Sequence, residues 1–372
     1  MLNAGVRKIW RRRRQRQTLQ EGCAAGKRRP NDEKEEETMI QEKIILWEKE
    51  EYTYPVTGTF VPFLMTYVHE EDEEARPAVV VVPGGAYCGV APTEGEIVAK
   101  CFYEKGYNTF VLTYTTNLNM DVPLKLQPLK DISRAFVRIR KEAPRLHVME
   151  NAVAVCGFSA GGHLSGSLCV HYDAPQLTET GEYAGISNRP DMALLCYPVI
   201  TSGEYAHRDS FTALLGPDAS DKELTYMSLE KQVKPDTPPT FLWTTFTDEM
   251  VPCENSFLYA SACRAAGVPV ELHVFGNGCH GMSLADETWA YDGMKAFYTT
   301  EQLLDIFQQM VDNGIPLPAP YDQLGVLEKG TDIRRVAAAV LQNSPPSGTP
   351  DAGIAKWPVL ADEWMKKQRD PD

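Results

Sequence analysis

Gly157-Phe158-Ser159-Ala160-Gly161 follows the apolar run Ala152-Val153-Ala154-Val155-Cys156 and precedes a helix-like segment. In the context of strand, G-x-S-x-G and helix, a serine can act as a nucleophile, because a side chain at the tip of so tight a turn stands clear of the sheet, usually on strained backbone. The helix N-terminus that follows favours developing negative charge. A serine hydroxyl is a poor nucleophile until a base takes its proton, and a carboxylate must orient that base. Two residues further along the chain have the right types in the right order. Asp248 follows the strand-like run Phe241 to Thr247, and His280 lies in the loop Gly276-Asn277-Gly278-Cys279-His280-Gly281 after the run Val270 to Phe275. Asp191 and Asp209 are weaker rivals because neither directly follows a strand. Asp248 also suits the cap of the next helix.

The chemistry needs donors for an oxyanion. Pro83-Gly84-Gly85-Ala86-Tyr87 directly follows a buried strand ending at Val82, and its small residues let the amides of Gly85 and Ala86 face a substrate carbonyl, joined by the amide of Ala160. Tyr87, Met250 and Met282 adjoin these positions and are expected to line the acyl and alcohol sites, with ordinary packing beneath the loops as the alternative. Of the other histidines, His163 is expected beneath the site and His273 in a structural strand position. His207 is expected either at the pocket or, more simply, in solvent, and His69, His147 and His171 at the surface. No histidine pair has metal-ligand spacing with a carboxylate, so neither a metal nor a cofactor is expected.

The elements that must position these residues alternate. Strands are expected over Lys43 to Trp47, Val61 to Val68, Ala78 to Val82, Asn108 to Tyr114, Ala152 to Cys156, Met192 to Tyr197, Thr240 to Thr247 and Val270 to Phe275. Helices are expected over Glu94 to Gly106, Pro128 to Ala143, Ala160 to about Val170 and Cys253 to Ala266. That alternation predicts an α/β fold with a mostly parallel central sheet, helices on both faces and ligands at the carboxyl ends of the strands. The domain reading is a disordered charged tail over 1–38, a core over 39–298, a helical insertion over 299–353 and a terminal helix with its tail over 354–372. Opposite-charge blocks (Arg11 to Arg14, Glu35 to Glu37) give the tail no hydrophobic core, and Met39 is expected to be the functional start. The insertion carries helix-like pieces at Glu301 to Asn313 and Thr331 to Asn343, and is expected to cover the pocket or to carry a dimer contact.

A formal charge of −14 over 372 residues argues against a nucleic-acid partner, and no apolar run has the length to cross a bilayer. Nine cysteines, an odd number with no C-x-x-C spacing, read as free thiols of a reducing, cytoplasmic compartment.

Together the stretches Pro83 to Tyr87, Gly157-Phe158-Ser159-Ala160-Gly161-Gly162-His163-Leu164, Arg189-Pro190-Asp191, Cys196 to Ile200, Asp248 to Pro252, Glu271 to Phe275 and His280-Gly281 resemble the α/β-hydrolase superfamily. Within it they are most similar to the bacterial acetylesterase, acetylxylan-esterase-like or feruloyl-esterase-like branch related to the hormone-sensitive-lipase group. The terminal helix around Trp357 and Trp364 fits the same branch. Pro83 stands where the wider H-G-G-G pattern has histidine, and Ala86 where it has its last glycine; backbone amides survive both changes. The resemblance implies an α/β-hydrolase fold and a serine carboxylesterase acting on short acyl esters, foremost acetyl groups, with a small ester or an acylated oligosaccharide as partner and a homo-oligomer as one arrangement. A serine peptidase on this fold and a non-catalytic interaction protein are the alternatives. The first usually carries a large N-terminal propeller and the second usually lacks a triad member.

Overall fold

Ala78 to Val82 is a continuous run of small and β-branched side chains, and in the computed structural model it forms the centre of the sheet. The structure describes residues 39–370 apart from 49, 56–57, 71–73, 121, 318–320, 325 and 343–344. The tail expected over 1–38 lies outside the described residues. The strands are β1 (Met39–Ile40), β2 (Lys43–Ile45), β3 (Phe63–His69), β4 (Arg76–Val82), β5 (Asn108–Thr113), β6 (Val148–Phe158), β7 (Met192–Cys196), β8 (Thr240–Thr245) and β9 (Val270–Phe275). They form one sheet in the order β1-β3-β5-β4-β6-β7-β8-β9, with β2 beside β1 along the same edge of β3. From β5 to β9 every pairing is parallel, and β3 runs antiparallel to β5.

Strand side chains alternate between faces, so one run feeds two cores. Ala78, Val80 and Val82 of β4 pack with Ile132, Phe136 and Ile139 of helix α2 (Gln127–Lys141) and Leu164 and Leu168 of α3 (Ser159–His171). Val79 and Val81 face the other way, toward Phe102 of α1 (Glu96–Tyr103) and Trp357, Trp364 and Met365 of the last helix, Trp357–Arg369. The valines of β4 have no exposed surface, and full burial of such a side chain contributes about 1.5–3 kcal/mol. Helix α6 (Glu254–Ala266) ends where Gly267 adopts φ +75, the left-handed cap expected of glycine there. Between α3 and α6 the connection from β7 to β8 carries α4 (Arg208–Leu215) and α5 (Asp221–Tyr226).

The helix expected from Glu94 differs at its start. Pro92–Glu94 is a separate 3-10 turn, broken from α1 by Gly95 at φ −101, ψ −102, and Glu94 is buried. The insertion region holds α8 (Glu301–Asp312) and α9 (Ile333–Gln342), after a short α7 (Glu287–Tyr291). Leu304, Phe307, Val311, Leu317, Ile333 and Ala337 make a small core of their own. Gln302 joins it to the strand layers through Thr116, and Tyr298 through a 2.8 Å contact between its hydroxyl and that of Tyr67. Trp357–Arg369 is then α10. Among the described residues no helix is long and apolar enough to cross a membrane.

Candidate active site

In a parallel sheet every strand delivers its carboxyl end to the same rim. The rim here carries the Pro83–Tyr87 loop after β4, Ser159 after β6, Tyr197 after β7, Asp248 after β8 and His280 after β9. Registers Val82↔Gly157, Phe158↔Cys196 and Thr245↔Phe275 keep those ends level.

Ser159 turns from extended Phe158 (φ −117, ψ 134) into α3 with its own φ at +52, a strained conformation for a residue with a side chain. The turn is so tight that a Cβ on Gly161 would collide with the carbonyls of Val82 and Pro83. His280 bridges the serine and the aspartate: Nε2 lies 2.8 Å from Ser159 Oγ and Nδ1 lies 2.7 Å from Asp248 Oδ2. The Asp248 side chain has no exposed surface. Its second oxygen, Oδ1, accepts from the amides of Met250 (2.9 Å) and Val251 (3.0 Å), so the capping role and the histidine contact are filled by different oxygens of one carboxylate. The histidine loop is anchored because Gly278 O accepts from the hydroxyls of Thr245 and Thr247, both at 3.0 Å. Tyr197 packs edge-to-face on the imidazole at 5.0 Å.

The Pro83–Tyr87 loop runs through three successive positive φ values: +126 at Gly85, +56 at Ala86 and +61 at Tyr87. A Cβ on Gly85 would strike the Gly89 carbonyl. The loop is held by Tyr114 Oη donating to Pro83 O (2.8 Å) and Ala91 N donating to Gly84 O (2.9 Å). Asn117 N donates to Tyr87 O (2.9 Å). Among the described residues, no acceptor is bonded to the amides of Gly85 and Ala86. Ala160 stands in the first turn of α3, where amides have no intrahelical partner.

Two of the three expected pocket residues are buried. Tyr87 is buried, and its hydroxyl lies 2.8 Å from His163 Nδ1, whose Nε2 lies 2.9 Å from Met227 O. The positive φ values at Ala86 and Tyr87 turn this ring down onto α3. Met282 is likewise buried, in the core layer of Ile354 and Trp357. Met250 is open to solvent.

The carboxylate hydrogen-bonded to the imidazole is Asp248, not either rival aspartate. Asp191 precedes β7, at the opposite end of the strands, where it pairs with Arg140 (2.9 Å) and accepts from Val153 N (2.8 Å). Asp209 sits in the first turn of α4. Among the histidines, His163 lies beneath the site, while His69 and His171 are buried rather than superficial. The first stacks on Tyr103 at 3.8 Å and the second on Tyr226 at 4.0 Å, and stacking of this kind leaves no signature in the sequence. His207 is half-buried, bonded to Ser210 (2.9 Å). Burial first, then the nearby His280, lowers its pKa. Glu94 and Tyr197 are buried behind the site, and neither residue type nor spacing marks them for a role in the sequence.

A family model described as BD-FAE matches residues 64–262. The endo-1,4-beta-xylanase B of Butyrivibrio fibrisolvens is 46% identical over 259 residues, covering 70% of this chain and 40% of that protein. The acetylxylan esterase of Xylanibacter ruminicola is 29% identical over 218 residues, covering 57% of this chain and 42% of that protein. The chain thus spans about two fifths of the length of these curated relatives. The crystal structure of an acetyl ester-xyloside bifunctional hydrolase from Caldicellulosiruptor lactoaceticus superposes with a TM-score of 0.62 at 35% identity, covering 73% of this chain and 96% of that one.

Proposed function

Since the chain belongs to the BD-FAE family and has the α/β-hydrolase fold, we propose that it is a serine ester hydrolase, with Ser159 as nucleophile, His280 as base and Asp248 as its orienting partner. Its substrates on this reading are short-acyl esters, foremost acetyl groups on xylan-derived sugars. The observation that carries the reading is His280, hydrogen-bonded to Ser159 Oγ on one side and to Asp248 on the other. Ser159 Oγ attacks the ester carbonyl while His280 Nε2 takes its proton. The tetrahedral oxyanion faces the amides of Gly85, Ala86 and Ala160. Collapse breaks the bond to the alcohol, which leaves with the proton returned by the imidazolium. Water, deprotonated by the same nitrogen, then attacks the acyl-serine and frees the acid. Asp248 Oδ2 accepts from Nδ1–H and so holds the tautomer in which Nε2 is free to act as base.

The names of the relatives include both a xylanase and esterases. Cleavage of a glycosidic bond uses two carboxyl groups flanking that bond. Here Asp248 is enclosed behind the imidazole and Glu94 is buried under Gly84, so neither of these two carboxylates is free to flank such a bond. Among the alternatives, the presence of all three triad residue types speaks against a non-catalytic protein.

The test is Ser159→Ala beside the wild type, with p-nitrophenyl esters of graded length, an acetylated xylo-oligosaccharide and a feruloyl ester as substrates. The expected result is preference for acetyl to butyryl groups. The variant should lose several orders of magnitude in kcat, on the order of 10⁶ as for other triad knockouts. A serine-reactive phosphonate should label the wild-type peptide containing Ser159. Labelling of another serine, or a preference for long-chain lipids, rejects the reading.

A further inference from the structure

Around the site, left-handed backbone carries side chains at Ala86, Tyr87, Ser159, Tyr197, Ser283 and Ala285. Each such conformation costs about 1–3 kcal/mol and persists only where the surroundings over-determine it. One buried side chain connects three of the four segments that carry them. Glu94 Oε2 accepts from Gly84 N (2.7 Å), at the root of the Ala86–Tyr87 loop. Glu94 Oε1 accepts from the Tyr197 hydroxyl (2.8 Å). That same phenol oxygen accepts from Ser283 N (3.0 Å), three residues beyond His280. Glu94 is almost fully buried, and burial raises its pKa against the opposing pull of the Tyr197 and Gly84 donors. Two oxygens that accept from two donors suit an ionised carboxylate. An uncompensated carboxylate in this position would be strongly disfavoured, so the group is retained with both arms satisfied.

We propose that Glu94 is a positioning residue, whose carboxylate fixes the oxyanion loop through Gly84 and the histidine loop through Tyr197 and Ser283, setting their separation across Ser159. This rests on the esterase reading above. The acyl carbonyl must sit between amides that belong to one loop and an imidazole that belongs to the other. A tether common to both removes the slack between them, and slack of about 1 Å at such a site is worth on the order of 10²-fold in rate.

The chemistry of the side chain dictates the test. Glu94→Gln has one acceptor oxygen. With that oxygen kept on Gly84 N–H, the amide nitrogen facing Tyr197 can only donate, so the Tyr197 hydroxyl loses the acceptor of its own proton. Glu94→Gln and Tyr197→Phe therefore cut the same arm. Each variant, and the double variant, is assayed with p-nitrophenyl acetate per active site titrated by a serine-reactive phosphonate, and with a reversible aryl trifluoromethyl ketone that forms an oxyanion on the serine. The expected result for each single variant is a fall in kcat of about 10- to 100-fold, KM within about twofold, and an equal weakening of ketone affinity. The double variant should be no worse than either single one, because residues acting through one contact are non-additive. Normal kcat and ketone affinity per titrated site would overturn the proposal, leaving Glu94 a purely structural group whose loss lowers the number of active sites. Fully multiplicative losses would overturn it too. If the wild type neither titrates nor turns over ester, it is the esterase reading that fails.

Discussion

Asp248 does two tasks with two oxygens, and this division makes its substitution informative. Asp248→Asn keeps an acceptor that can serve either the Met250 and Val251 amides or His280, while its amide hydrogens face the other. An amide nitrogen opposite Nδ1 stabilises the wrong imidazole tautomer. The expected loss is roughly 10⁴ in kcat with the fold retained, by the tautomer argument. Asp191→Asn is the control, since that carboxylate serves Arg140 and Val153 at the far end of the strands. It should lower the thermal midpoint and leave kcat within a few fold. Steady-state rates and melting curves for the pair decide the matter: a mild Asp248 variant beside a crippled Asp191 variant would reverse the assignment.

At the scale of elements, Gln302 is one of the side chains that tie the region over 299–353 to the rest of the fold. Gln302 Oε1 accepts from Thr116 N (2.8 Å) and Thr116 Oγ1 (3.0 Å), and its Nε2 donates to Thr116 O. The next residue, Asn117, holds Tyr87 O. Gln302→Leu removes donor and acceptor together, and an orphaned buried polar group costs about 1–3 kcal/mol. Urea unfolding should register a loss of that size, and an unchanged midpoint would show that water replaces the glutamine. The elements themselves were largely legible. The run Ala78 to Val82, the glycine after α6 and the helical spacing of Ile132, Ala135, Phe136 and Ile139 are local signals, each with one physical reading. The candidate site was legible where chemistry fixes residue type and chain order, at Ser159, Asp248 and His280, with the imidazole within hydrogen-bond reach of each of the other two. It was not legible where backbone geometry decides. Nothing in Gly84-Gly85-Ala86-Tyr87 announces three positive φ values, so the inward turn of Tyr87 could not be read. The break at Gly95 that buries Glu94 is hidden in a sequence that continues with helical spacing.

Over the whole molecule, stability against pH depends on buried groups whose titration differs between the folded and unfolded chain. Two of them oppose each other. His163, enclosed between Tyr87 and Met227 O, is lowered by burial from 6.5 to about 4. Its neutral form is the folded form, so its contribution is fully present above pH 6.5 and is lost as pH falls through about 4. Asp131, enclosed among Trp47, Thr115 and Gln127, is raised by burial from 3.8 to about 6. Its contribution runs the other way: present below pH 3.8 and lost as pH rises through about 6. Each shift corresponds to about 3 kcal/mol at 1.36 kcal/mol per pH unit. Between about pH 4 and 6 the two slopes cancel in the wild type, and removing either one uncovers the other. The destabilisation of His163→Gln relative to wild type should therefore shrink by about 3 kcal/mol between pH 7 and pH 4. That of Asp131→Asn should grow by a similar amount over the same range, because the wild-type carboxyl becomes protonated in the folded state before it does in the unfolded one. Denaturant unfolding at closely spaced pH values measures both differences. Parallel curves for a variant and the wild type would mean that the group titrates alike in the two states, and that its burial does not govern its proton.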